Sequence, residues 1–329
     1  MGPSSQPQVS TPAGETRVAY LAPGQAPASG PRAPSRDASI AAEGAEAPAR
    51  VLSAAPPRLA TYLNPLAMIA HLHTHRDLIW RFALRDVQGR YKGSYLGIFW
   101  SFVTPLLMLA VYTFVFGFVL GTRWTGFAGG ALGFSLPLFA GLIVFGVLSE
   151  CLSKAPGLIV GNPNYVKKVV FPLELLPVAL LLASLVHAGI STLILLAGQA
   201  LFLGQLSGTL LWFPLVVAAL GMLTLGGTWL LASLGVFIRD IGPAVSIALT
   251  VLMFMSAIFY PSSALPGKVR WVTDANPIAL IVDDARRTLV FGQPPHWVRL
   301  GLVAVASAVA MQLGYVWFMR SKRWFADVI

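Results

Sequence analysis

The sequence predicts an all-α integral membrane protein. Six transmembrane helices follow an N-terminal amphipathic interface helix, with short re-entrant or interfacial helices in the last extracytoplasmic loop. Three observations carry this. The 329 residues are 56% hydrophobic and only 11% charged, about half the charge of a soluble domain. Apolar runs long enough to cross about 30 Å of hydrocarbon recur six times. Lys and Arg stand in short clusters between those runs, as at cytoplasmic loops, so the net charge of +10 does not describe a nucleic-acid groove. Cys151 is the single cysteine, which excludes an internal disulfide framework and a cysteine zinc site.

Residues 1–60 are a Pro-, Ala-, Gly- and Ser-rich tail. Too little apolar surface is available there to offset ordering entropy, so a disordered cytoplasmic tail is expected. It lacks the basic start and apolar core of a signal peptide. The ordered domain is expected over 61–329. Asn64 can cap a helix whose first position suits Pro65, giving an interface helix over 65–88. Leu66, Ile69, Leu72, Ile79, Ala83 and Val87 recur along one face, while Asp77 with Arg81 and Asp86 with Arg90 are i,i+4 pairs on the other. Trp80 and Phe82 can anchor it on the membrane surface. The spans are expected near 96–120, 131–152, 174–201, 211–237, 241–260 and 298–318. Pro105 falls inside the first, where a membrane helix tolerates a kink.

Orientation follows from the loops. Arg76, Arg81, Arg85, Arg90, Lys92, Lys154, Lys167, Lys168, Arg239, Arg320, Lys322 and Arg323 fall on one side, which puts both termini in the cytoplasm. The other side holds Arg123 and a long loop with Lys268, Arg270, Arg286, Arg287 and Arg299 beside Asp274, Asp283 and Asp284. Gly89 and Gly93 let the chain turn from the surface helix into the first span.

No G-x-x-x-x-G-K-[ST] phosphate loop is present, and the LSG at 206–208 lies in an extracytoplasmic loop. If ATP drives this protein, another chain hydrolyses it. His71, His73 and His75 alternate on a helix, about 200° apart, and do not converge on a metal. Glu150 and Glu174 fall at span ends and only His187 lies well inside, which argues against an ion-coupled carrier. Aromatics crowd the first span. Their ordinary role is packing and an interface belt, but Trp100 and Tyr112 are candidates for a sugar-stacking path.

The loop NPNYVKKVVFPLELLP (162–177) is either a basic cytoplasmic loop or a compact knob. In the second case Tyr165 and Val166 give a partner an apolar contact, and Lys167 and Lys168 a charged rim. In the outer loop, IALIVDDARRTLVF has a helical rhythm too short to span, which suggests a cap more than a free loop.

Four stretches resemble the membrane subunits of type-2 ABC exporters for polysaccharides and polyol phosphates, the family of O-antigen and teichoic-acid export permeases. RDVQGRYKGSYLGIFWSFVTP resembles the family's approach to its first span, through Arg90, Tyr91, Ser94, Leu96, Gly97, Trp100 and Pro105. NPNYVKKVVFPLELLP, NPIALIVDDARRTLVFG and the C-terminal KRWFADVI are similar to its other signatures. The likeness covers about 65–329; the long tail departs from the family pattern.

The resemblance implies that Asn164, Tyr165, Val166, Lys167, Lys168 and Val169 form a coupling helix seated on an ATPase subunit. That subunit would hold ATP and Mg; this chain would carry no cofactor and no catalytic residue. Stretch 276–291 would form part of a periplasmic gate, with Asn276, Pro277, Asp283, Asp284, Arg286 and Arg287. Two permeases and two ATPases would move a lipid-linked glycan across the bacterial plasma membrane. Arg85, Arg90 and Lys92 would then meet an anionic lipid pyrophosphate, or else serve only the positive-inside rule. Other readings are an ABC permease for a drug or lipid, a membrane glycosyltransferase, and a scaffold. Asp283 and Asp284 point about 100° apart on a helix, with no third carboxylate clearly joining them, which disfavours the enzyme.

Overall fold

A computed structural model describes residues 62–329 except 91, 93, 94, 96, 122, 123, 125–131, 168–170, 205, 262–264 and 269. The expected tail lies outside the described residues, as do Lys168, Val169, Tyr91, Ser94, Leu96 and Arg123. Among the described residues every regular element is helical. Five helices among the described residues are long and apolar enough to cross a membrane: Trp100–Val119, Gly133–Leu158, Leu175–Phe202, Gly208–Phe237 and Trp297–Val328.

The expected interface helix is two helices, not one: α1 (Pro65–Thr74) and α2 (Arg76–Gly89), broken at His75 (φ −102°, ψ 16°). Asn64 caps α1 as anticipated, its Oδ1 accepting from Leu66 N at 3.0 Å and Ala67 N at 3.4 Å. The break shifts the buried face. Ile79, Ala83 and Val87 are buried in α2, but in α1 Met68 is buried while Leu66 and Ile69 are exposed. The single stripe drawn through both halves therefore holds only in the second.

Helix α3 (Trp100–Tyr112) contains Pro105 and continues as a wider π-helical stretch over Thr113–Val119. Thr113 Oγ1 donates to Leu109 O at 2.7 Å and lies within hydrogen-bond reach of Ser135 Oγ at 3.0 Å. Helix α4 (Leu132–Leu158) is the axis of the bundle. Its apolar window is 72% buried, against 11% for the α3 segment. Short α5 (Pro163–Lys167) leads to α6 (Leu175–Leu203), and α7 (Phe213–Phe237) packs against α4 and α6.

The fifth expected span is shorter than expected. Helix α8 (Ile241–Met255) has 15 residues, about 22 Å at 1.5 Å per residue, less than the roughly 30 Å hydrocarbon core. The chain leaves the helix before Ala257, which has φ 51°. After α9 (Trp271–Asp274), α10 (Pro277–Leu289) starts at Asn276, whose Oδ1 caps Ile278 N at 3.0 Å. The Asn276 amide also donates to Met255 O (3.3 Å) and Ser256 Oγ (3.1 Å). This ties the start of α10 to the end of α8, with Ile278, Ile281, Val282, Ala285 and Leu289 buried. The segment expected as an outer cap is thus a packed helix and not a free loop.

Helix α11 (Trp297–Ser321) lies against α7, and short α12 (Phe325–Val328) follows it. Glycines let the two long backbones touch. A methyl group on Gly226 would fall 2.6 Å from Ala310 O, and one on Gly314 2.2 Å from Gly226 O. Small residues at such crossings allow the close packing on which membrane helices depend.

Gly314→Ala should separate α7 from α11, because the obstructing atoms are backbone and cannot rotate away. A cost of about 1–3 kcal/mol is expected for such overpacking, seen as a lower thermal midpoint in detergent. Gly301→Ala on the same helix meets nothing within 4 Å and should leave the midpoint unchanged.

Candidate functional site

Three groups singled out from the sequence share one cleft. Arg90, Trp100 and Tyr112 line a cavity of about 420 Å³ between α3, α4 and α6, with Phe139, Glu150 and His187. One end is charged. Glu150 makes an ion pair with Arg90 and another with Lys154 at 2.9 Å, and its Oε2 accepts from Ser184 Oγ at 3.1 Å. Arg90 also lies 3.9 Å from Asp86. The other end is apolar and aromatic, walled by Met108, Tyr112, Phe139 and Ile143. Helical periodicity accounts for the charged end: Glu150 and Lys154 are one turn apart on α4 and present their heads together. Lys154 and Ser184 were not singled out as site residues. The i,i+4 spacing could have found the lysine, whereas nothing in the sequence marks a serine on another helix.

Arg85, Arg90 and Lys92 come together around a second space. All three line an open basin of about 900 Å³ at the end of α2, with Asp86, Gly89 and Gly97. Arg90 borders both basin and cleft. Arg85 is already engaged: its guanidinium donates to Tyr165 Oη at 2.7 Å and lies 4.4 Å from the centre of the Phe82 ring.

That bond also locates the basic knob. On α5, Tyr165 stacks on Phe171 (centroids 4.8 Å apart) and meets the Phe82 edge at 5.6 Å. Val166 is half-buried, while Asn164 and Lys167 are exposed. The segment is therefore an element docked on α2 with one free rim.

Beside it, Glu174 forms a buried junction. Its Oε1 lies 3.0 Å from His71 Nε2, its Oε2 accepts from Lys322 Nζ at 2.7 Å, and its backbone carbonyl accepts from Trp229 Nε1 at 3.0 Å. One residue thus joins α1, α7 and the segment after α11. The three histidines do not converge. His73 Nε2 is paired with Arg76 Nη1 at 3.3 Å, and His75 Nδ1 lies 2.9 Å from His71 O.

The gate candidates on and beside α10 split into two groups. Arg286 is inside, 2% exposed. Its Nε donates to Pro137 O (2.9 Å), Nη1 to Ala257 O (2.9 Å) and Nη2 to Ile258 O (2.6 Å), and its guanidinium lies 4.5 Å from the centre of the Trp124 ring. Gly141 leaves it room, since a methyl group there would fall 2.9 Å from Nη2. Burial pushes the guanidinium down to about 10 and Asp283 opposes the shift, so it stays protonated near neutrality. Asp284 is also buried and accepts from His296 N at 2.8 Å. Burial raises its carboxyl, with that amide as the main opposing influence. Asp283 is half-exposed, and Arg287 donates to Pro294 O at 2.9 Å near the surface. Asn276 and Pro277 border a large apolar crevice of about 1010 Å³ between α7, α8 and α11.

Residues 77–290 match the ABC-2 type transporter family. Two proteins from Klebsiella pneumoniae, each described as an O-antigen export system permease protein RfbA, are 23% identical over 254 and 256 residues. Each alignment covers 77% of this chain and 95% of the relative. A protein of the same description from Myxococcus xanthus is 29% identical over 202 residues, 61% of this chain and 74% of the relative.

Arg286→Met should strand three buried carbonyls and cost about 3 kcal/mol or more. Cys151 is fully buried and is the single cysteine, so its maleimide reactivity reports unfolding. Arg286→Met is expected to expose it at a lower temperature than wild type, and Arg287→Gln at nearly the wild-type temperature.

Proposed function

With a chain that belongs to the ABC-2 type transporter family as the premise, we propose that it is the permease of an ATP-driven exporter of a lipid-linked polysaccharide. The polymer is of O-antigen, capsule or teichoic-acid type, and it leaves the cytoplasm across the bacterial plasma membrane. The observation that carries this reading is the position of Arg90, which borders both an open basic basin and a cleft holding Trp100 and Tyr112. An anionic headgroup arriving through the basin meets Arg85, Arg90 and Lys92. Aromatic faces then offer sugars an apolar surface with little demand for sequence. Similarity to O-antigen permeases over nearly their whole length supports the polymer class.

In this reading six spans cross the membrane, with α8 and the chain to Tyr260 as the fifth, and both termini are cytoplasmic. Helices α1 and α2 lie on the cytoplasmic surface. Residues Asn164 to Val169 seat on an ATPase subunit that binds ATP and Mg, and a second copy of the permease closes the transport path. Among the outer-gate candidates Asn276, Pro277, Asp283, Asp284, Arg286 and Arg287, Arg286 is the fixed member. One feature favours a lipid or drug as cargo instead. An apolar groove of about 410 Å³, lined by Ile143, Val147, Leu185 and Phe213, adjoins the cleft.

Depleting the protein and extracting lipids separates the two. The expected result is a lipid-linked glycan trapped in the cytoplasmic leaflet, and unchanged surface glycan without accumulation would favour the lipid or drug. The double variant Arg90→Gln, Lys92→Gln should insert normally yet reduce surface glycan at least tenfold, the scale expected when two charge contacts of about 1–2 kcal/mol are lost. Normal export in that variant would remove the headgroup role.

A further inference from the structure

The charged end of the cleft is built as an anion site that already holds an anion. Glu150 receives a guanidinium, an ammonium and a hydroxyl from three different elements: Arg90 after α2, Lys154 on α4 and Ser184 on α6. All three partners are donors, and a phosphate monoester or diphosphate accepts from the same set. Arg90 and Lys154 contribute two positive charges, which Glu150 and Asp86 balance. The Asp86 contact with Arg90 is long, at 3.9 Å. Glu150 is therefore the principal neutralising group, and it stands on the cleft wall where Arg90 also reaches the basin.

We infer that Glu150 is a resident counter-ion, displaced when the phosphates of an anionic headgroup take over its contacts with Arg90, Lys154 and Ser184. This deepens the proposed export reading and rests on it for the direction of approach. Lys154 and Ser184 become headgroup ligands beside Arg90. Glu150 becomes a selectivity element: an uncharged amphiphile cannot replace it, and a singly charged one does so less well than a diphosphate. A bound headgroup also frees the end of α2 from α4, because the Arg90–Glu150 ion pair joins them.

The test is equilibrium binding to the full-length protein in lipid nanodiscs of zwitterionic phosphatidylcholine. Three probes are used: geranylgeranyl diphosphate, inorganic pyrophosphate and uncharged geranylgeraniol. Glu150→Gln should bind geranylgeranyl diphosphate about tenfold tighter than wild type, a gain of the size expected when a competing charged contact is removed. Arg90→Gln and Lys154→Gln should bind it at least tenfold more weakly, and geranylgeraniol should bind alike to all. Tightening with pyrophosphate as well assigns the site to free and lipid-borne diphosphate together, whereas tightening with the lipid alone assigns it to the headgroup.

A thermal midpoint measured in the same nanodiscs checks that each variant is folded. Should Glu150→Gln fail that check, Glu150→Asp shortens the carboxylate's reach to all three partners without changing charge. It tightens diphosphate binding if Glu150 is a displaceable counter-ion and leaves affinity unchanged if Glu150 is only a brace. Unchanged or weaker diphosphate binding in a folded Glu150→Gln overturns the inference. If that result comes with trapped lipid-linked glycan in depleted cells, the export reading survives it. Tightened binding without trapped glycan would leave the counter-ion in place and overturn the export reading instead.

Discussion

A guanidinium inside an apolar bundle needs acceptors, and each of the three nitrogens of Arg286 donates to a backbone carbonyl. Pro137 on α4 and Ala257 and Ile258 beyond α8 supply them. The bonds explain several features together. Just past the end of α8 the carbonyls of Ala257 and Ile258 turn inward to the guanidinium. Helix α10 is drawn onto α4 because its arginine is anchored there. Gly141 is small where the guanidinium lies, and Trp124 covers one of its faces. Burying a charge in this way costs solvation, but it fixes the geometry of three elements with one side chain.

The opposite end of the bundle uses the same device with the sign reversed. Glu174 is a buried carboxylate whose two oxygens face His71 and Lys322, while its carbonyl holds the Trp229 indole. It lies just past the docked segment carrying Tyr165, and Phe171 links the two by stacking on that tyrosine. The basic knob, the first helix and the C-terminal segment therefore share one junction. The cleft runs between these two fixed ends, and its own ion pairs are partly open to solvent.

What could be read from the sequence divides along the range of the interaction. The cap at Asn64, the helical rhythm after Pro277 and five of the six apolar spans follow from neighbouring residues, and these appear where expected. Arg90 on one hand and Trp100 and Tyr112 on the other stand out in the sequence as separate groups, and only the packing of three helices brings them around one cavity. The break at His75 could not be foreseen, since neither Pro nor Gly marks it; its signal is a ring nitrogen next to the His71 carbonyl. Nor could hydropathy foresee the short α8, since the chain just past its end is held by an arginine 28 residues beyond Ile258. Glu174 looked like a span-end carboxylate, yet its partners lie 103 and 148 residues away. Lys154 reads as one of the loop cations, while it stands on α4 and its ammonium pairs with Glu150 one turn earlier.

The contact between Gly226 and Gly314 gives the bundle an uneven stiffness. With no side-chain layer between them, α7 and α11 cannot slide past each other without driving backbone into backbone. They form a stator. The α3 segment, mostly uncovered and carrying both a proline and a π-helical stretch, has no comparable lock. Strain applied at the Glu174 junction is thus borne by the glycine-locked pair, and deformation collects in the helix that lines the cleft.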